Sequence, residues 1–198
     1  MNDVFISYAH IDNESLTEGQ QGWISQFHHT LEVRLRQLMG ENPQVWRDQK
    51  LMGNDIFDEK LVKEYSNAKV MISIVSPRYM KSDWCQKEAM EFHGAAENSG
   101  GVFVGGKSRI VKVVKTPVPV GGVDGPLGEV FDRVLGFDFF EVDPDTGRIR
   151  EYNEEFGHEA KRNYLERVYD LAQEISDLLQ NVDNPEQATD STGNGRVV

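Results

Sequence analysis

The chain carries one cysteine, Cys85, among its 198 residues. That excludes an internal disulfide and a multi-cysteine zinc site, and it suits a reducing compartment. Basic residues are scarce as well, with 21 Lys and Arg against 33 Asp and Glu and a formal net charge of −12. Attraction to phosphate backbones or anionic lipid does not drive binding by such a surface, so neither nucleic acid nor a membrane is expected as a partner. Long apolar runs are missing too. The longest, Val70 to Val75 with Ser73 inside it, falls far short of the roughly 20 residues of a membrane span. The Asp3-bearing N-terminus lacks the basic start of a secretion signal. A cytoplasmic protein with a single hydrophobic core is the expectation.

Periodicity supplies the elements. Val4-Phe5-Ile6 predicts a buried strand that ends at Ser7-Tyr8. Trp23, Phe27, Leu31, Leu35 and Leu38 then fall at helical spacing on one stripe, and Gly40 ends that helix. Val45-Trp46 reads as a second strand, Arg47 to Asn54 as a loop, and Phe57, Leu61, Val62 and Tyr65 as one face of the next helix. Val70 to Val75 is a third strand, stopped by Pro77. Ser82 is placed to cap a helix over 83–98, Ile110 to Val114 is a fourth strand, and Phe137 to Val142 a fifth. Ten of the 18 glycines lie between Gly94 and Gly136, which predicts an insertion-like, loop-rich stretch there. Leu165, Val168, Ala172, Ile175 and Leu179 mark a last helix. One domain over 1–181 is expected, followed by a polar, disordered tail over 182–198.

Strands alternating with helices imply an α/β fold, a parallel sheet covered by helices on both faces. Ligands of such sheets bind beyond the carboxyl ends of the strands, near the switch in strand order. Polar residues cluster there: Ser7-Tyr8 after the first strand, Arg47-Asp48 after the second, and Ser76 after the third. Other motifs lose their force in context. Gly101 to Ser108 satisfies the P-loop pattern GxxxxGK[ST], yet it precedes a strand where a P-loop opens a helix. Cys85 and His93 are two helical turns apart and on different faces, which leaves no thiol nucleophile with its base. His28 and His29 are adjacent and so do not make a helical metal pair, and no calcium-loop spacing occurs.

Four ordered blocks carry a more specific signal: Asp3-Val4-Phe5-Ile6-Ser7-Tyr8, Trp46-Arg47-Asp48-Gln49-Lys50-Leu51 with Gly53, Ser76-Pro77-Arg78-Tyr79, and Ser82-Asp83-Trp84-Cys85-Gln86-Lys87-Glu88. Together they resemble the Toll/interleukin-1 receptor (TIR) domain family, in particular its bacterial members. The resemblance covers about residues 3–115. It implies a flavodoxin-like fold with about five parallel strands, and either of two functions. One is cleavage of NAD at the nicotinamide-ribosyl bond, to ADP-ribose or a cyclic product, in bacterial immune or antiphage signalling. The other is a non-catalytic adaptor that works by homotypic assembly with other TIR domains. It also implies that NAD is a substrate, with no cofactor, and that homo-oligomers form through the loop from Arg47 to Asn54.

By the same match Glu88 would be the catalytic acid. Tyr8, Arg47, Asp48, Lys50, Ser76 and Trp84 would bind NAD, and no metal is implied. The spacing of Trp84, Glu88 and Phe92 puts an acid between two aromatics on one helix face. Desolvation there would disfavour its charge, while ribose hydroxyls would favour it. The chain departs from the family where Ala9-His10 replaces basic residues after the tyrosine, which leaves Arg47, or a protonated His10, to meet the phosphates.

Overall fold

The computed structural model describes residues 2–47, 67–118, 126–134 and 136–184. Its centre is a sheet built from β1 (Val4–Ser7), β2 (Val45–Arg47), β3 (Val70–Val75), β6 (Ile110–Val114) and β7 (Phe137–Asp138) in the order β2-β1-β3-β6-β7. All four pairings are parallel, so the expected five-stranded sheet is present. The order reverses at β1, whose neighbours are β2 on one side and β3 on the other. That switch leaves the crevice between the carboxyl ends of β1 and β3 open to a ligand.

Strand alternation divides the core into two layers. Val4 and Ile6 of β1 face α1 (Trp23–Met39) and the last helix, α5 (His158–Asp183), in a cluster that includes Phe27, Leu31, Phe139 and Tyr164. Phe5 faces the other way, into a cluster with Tyr79 of α2 (Pro77–Met80) and with Cys85, Ala89 and Phe92 of α3 (Asp83–Glu97). Helices therefore cover both faces, as the alternation of elements requires. The α3 start is fixed by Ser82, whose hydroxyl accepts from the Cys85 amide at 3.3 Å. Burial pushes the Cys85 thiol up to about 12, so this side chain packs and does not react.

Three expectations need correction. Among its described residues the stretch 94–136 holds more secondary structure than its glycines suggest: besides β6 it contains a hairpin of β4 (Phe103–Val104) and β5 (Lys107–Ser108), and helix α4 (Pro126–Arg133), which packs against α3. Gly105 and Gly106, at φ +59° and +78°, are the hairpin turn, a conformation that two side-chain-bearing residues would strain. The presumed fifth strand over 137–142 is shared between two sheets. Phe137–Asp138 joins β6, whereas β8 (Phe140–Val142) pairs antiparallel with β9 (Ile149–Glu151), and buried Phe139 is the pivot between them. The last helix runs to Asp183, two residues past the expected boundary. The anticipated helix carrying Phe57 to Tyr65, and the tail from 185, lie outside the described residues.

Candidate active site

The period-two pleat that sends Phe5 toward α3 sends Ser7 the same way, to the carboxyl end of β1. The buried face of α3 reads Cys85, Glu88, Ala89, Phe92, Ala96, so Glu88 occupies a position where an apolar residue is expected. Its side chain is 4% exposed. Its oxygens accept from Ser7 Oγ, on Oε2 at 2.5 Å, and from the indole Nε1 of Trp84, one turn back on the same helix, on Oε1 at 2.9 Å. A donor on each oxygen suits a carboxylate, and hydrogen bonds to a carboxylate are among the strong ones. Ser7 Oγ also lies 3.4 Å from Tyr79 Oη. Its single proton is directed at Glu88, so the tyrosine is the donor in that contact. Burial holds the Tyr79 hydroxyl far above its ordinary value, which keeps it a donor.

Glu88, Trp84, Tyr8, His10 and Ile6 line a cleft at this end of the sheet. Its free volume is about 10 Å³, room for a single water. A ribose ring needs more room than this beside the half-buried Trp84 and the exposed His10. His10 rests against the Tyr8 ring, centroids 5.3 Å apart, and opens a 3-10 turn over His10–Asn13 that roofs the strand ends. Asp12 of that turn accepts from Ser76 Oγ at 2.6 Å, and Ser76 Oγ in turn accepts from the Tyr79 amide as the cap of α2. Burial raises the Asp12 carboxyl above its ordinary value against the opposing pull of that Ser76 bond. Asn13 secures the other side, its Oδ1 accepting from the amide and hydroxyl of Ser25 at 2.9 and 3.1 Å. The turn sits so close to the start of α1 that a Cβ on Gly22 would lie 1.7 Å from the Asn13 carbonyl oxygen.

Arg47 closes the group from the end of β2, where it pairs in register with Ile6. Its guanidinium donates to His28 Nδ1 at 3.0 Å, to Ser25 Oγ at 2.9 Å and to Tyr8 Oη at 3.4 Å. Of the residues singled out in the sequence, Glu88, Trp84, Tyr8 and Arg47 gather at one place, with Ser76 one bond away through Asp12. Asp48 and Lys50 lie outside the described residues. The sequence places Ser7 at the strand end but gives it no partner there, and Asp12, Asn13, Ser25 and His28 gain no role from it. Ser7 could have been found from the pleat, which puts it on the face of Phe5; the others depend on long-range packing that spacing does not carry.

Elsewhere the chemistry is structural. Lys107 of the P-loop-like string sits in β5 and pairs with Glu174 and Asp177 of α5 at 2.6 and 3.3 Å, with no helix N-terminus following it. His28 and His29 do not converge, since His28 faces Val45 and Arg47 while His29 points to a groove against Tyr169. No helix among the described residues is long and apolar enough to cross a membrane.

A family model described as TIR domain matches residues 4–105. No curated protein matches the chain. Among solved structures, the chain is similar to the TIR domains of the activated Roq1 resistosome directly recognizing the pathogen effector XopQ. The identity is 15%, the TM-score 0.41, and the match covers 92% of this chain and 97% of that one.

Proposed function

The chain belongs to the TIR domain family, and on that premise we propose that it is an NAD glycohydrolase with Glu88 as its catalytic carboxylate. One observation carries the reading: a buried acid on an otherwise apolar helix face, at the carboxyl ends of the strands beside the switch point, held by Ser7 and Trp84. In the reaction the bond between the ribose C1′ and the pyridinium nitrogen breaks. Its electron pair leaves with nicotinamide, which departs neutral and needs no proton. Positive charge develops on the ribosyl ring, where a carboxylate stabilises it. Water then attacks C1′ and loses a proton, giving ADP-ribose; attack from within the nucleotide gives a cyclic product instead. Ser7 and Trp84 keep Glu88 from turning away, and Tyr8 and Trp84 supply flat faces for the base and sugar. The phosphates would meet Arg47.

The second reading, an adaptor that acts by homotypic assembly, draws support from the narrow cleft and from the bonds of Ser7 and Trp84 that already occupy Glu88. HPLC of NAD incubated with concentrated protein separates the two, since nicotinamide release belongs to the first alone. Specific activity over a hundredfold range of protein concentration tests whether assembly through the loop from Arg47 to Asn54 switches the enzyme on; all of that loop but Arg47 lies outside the described residues. From the resemblance alone the proposal extends to a cytoplasmic, bacterial-type effector in antiphage signalling.

A further inference from the structure

We propose that His28, as a neutral imidazole, is the positioning residue that holds Arg47 at the mouth of the cleft, where the guanidinium meets the pyrophosphate of a dinucleotide, and that protonating His28 releases it. The inference rests on the reading of the cleft as an NAD site. The contacts of Arg47 carry it. A guanidinium has donors and no acceptor, so in the 3.0 Å contact between Arg47 Nε and His28 Nδ1 the imidazole nitrogen must be the acceptor. That fixes the tautomer: the ring proton is on Nε2, which donates to the Val45 carbonyl at 3.1 Å. The ring is thus clamped between the backbone of β2 and a side chain from the same strand. Arg47 is aimed by it across Tyr8, with its guanidinium carbon 5.8 Å from that ring's centroid.

All three acceptors of Arg47, on His28, Ser25 and Tyr8, are neutral, and among the described residues no carboxylate lies within ion-pair distance of it. Its charge is therefore held in place without being neutralised, the condition for binding an anion by a bidentate fork. Protonation of His28 removes the acceptor and sets a second cation 3.0 Å from the first. The groups that face the ring are Arg47 from β2 and His29 and Glu32 from α1, of which Glu32 alone favours the charged form against Arg47 and His29. Burial, and then Arg47, hold the ring below its ordinary value, so it is neutral at neutral pH.

Two variants test this in the full chain. In His28→Asn the amide oxygen falls near the position of Nδ1 and accepts from Arg47 without titrating; His28→Phe offers no acceptor. The Arg47 Nε–H signal in nitrogen-15 NMR should be slowly exchanging in the wild type at neutral pH and be lost as pH falls below about 6.5. It should persist at both pH values in His28→Asn and be absent in His28→Phe. KM for NAD should rise about tenfold over the same pH range in the wild type, with kcat following its own profile, and stay flat in His28→Asn. A signal indifferent to both substitutions, or a KM profile of His28→Asn that copies the wild type, overturns the proposal. If the wild type releases no nicotinamide, the catalytic reading fails. The positioning role is then judged by the same NMR signal and by calorimetry with ADP-ribose, whose affinity should follow the pattern given for KM; equal affinity in all three proteins overturns it.

Discussion

The two ends of the central sheet treat charge differently. At the amino end opposite charges meet: Lys69 lies 3.1 Å from Asp3 and 2.8 Å from Asp183, and Lys107 bridges to Glu174 and Asp177. At the carboxyl end neutral groups figure prominently: a hydroxyl and an indole donate to Glu88, a hydroxyl donates to Asp12, and Arg47 donates to an imidazole and two hydroxyls. An ion pair of Lys115 with Glu151, whose carboxylate also accepts from Thr116, lies there as well. Paired charges cancel each other's field and tie the chain together. The Arg47 charge, held among the described residues by neutral acceptors, keeps its field, and a bound substrate can use it. The proposed site lies at that end.

The largest effect on this contrast should come from Gly22→Ala. Its Cβ has no room beside the Asn13 carbonyl, so the 3-10 turn over the strand ends must lift. A loss of about 2–3 kcal/mol is expected in denaturant titrations, with nicotinamide release falling alongside. Ser76→Ala should cost less, about 1–2 kcal/mol, because it removes the cap of α2 and the partner of Asp12 at once.

Asp12→Asn should instead stabilise the fold slightly at neutral pH, since an amide still accepts from Ser76 and carries no buried charge. The sign follows from linkage. The native state binds the Asp12 proton more tightly than the unfolded chain does. Stability from this group is therefore full below the ordinary carboxylate value and lost as pH rises through the raised one. The gain in melting temperature from Asp12→Asn should accordingly shrink as pH falls toward 3.8, the unperturbed value.

The smallest effects belong to the amino end. Lys69→Met and Lys107→Ala each remove exposed or half-exposed ion pairs and should cost under about 1 kcal/mol, leaving nicotinamide release unchanged. Lys107→Ala should also leave calorimetry with ATP flat, as in the wild type. A large loss of turnover in either lysine variant would erase the contrast between the two ends.

What the sequence made legible follows the same division. Strands β1, β3 and β6 and the helices with Trp23-Phe27-Leu31 and Val168-Ala172-Ile175 were readable because burial on a periodic face leaves a periodic pattern. The four blocks in order bring Glu88 forward as a candidate, and its hydrogen bond to Trp84 is legible from the i, i+4 spacing. Phe137 to Val142 misled because a continuous apolar run does not reveal that Phe139 turns the chain from one sheet into another. The eight residues of α4 are too few to show a period. His28 stands out in the sequence only beside His29, an adjacent pair that cannot form a helical metal site, while its partner Arg47 lies 19 residues away on β2. Contacts of that kind arise from topology, and no local spacing encodes them.

The central claim is that Glu88 performs the chemistry from a position the fold can hold without its charge. Glutamine in its place keeps the shape and still accepts from Trp84, while the Ser7 hydroxyl can turn to accept from the new amide. Nicotinamide release by Glu88→Gln, followed by HPLC beside the wild type at equal concentration, is the direct measurement. The account predicts a loss of at least about a hundredfold, with a melting temperature within about 4 °C of the wild type. Wild-type turnover in Glu88→Gln, or no release from either protein at any concentration, would contradict it.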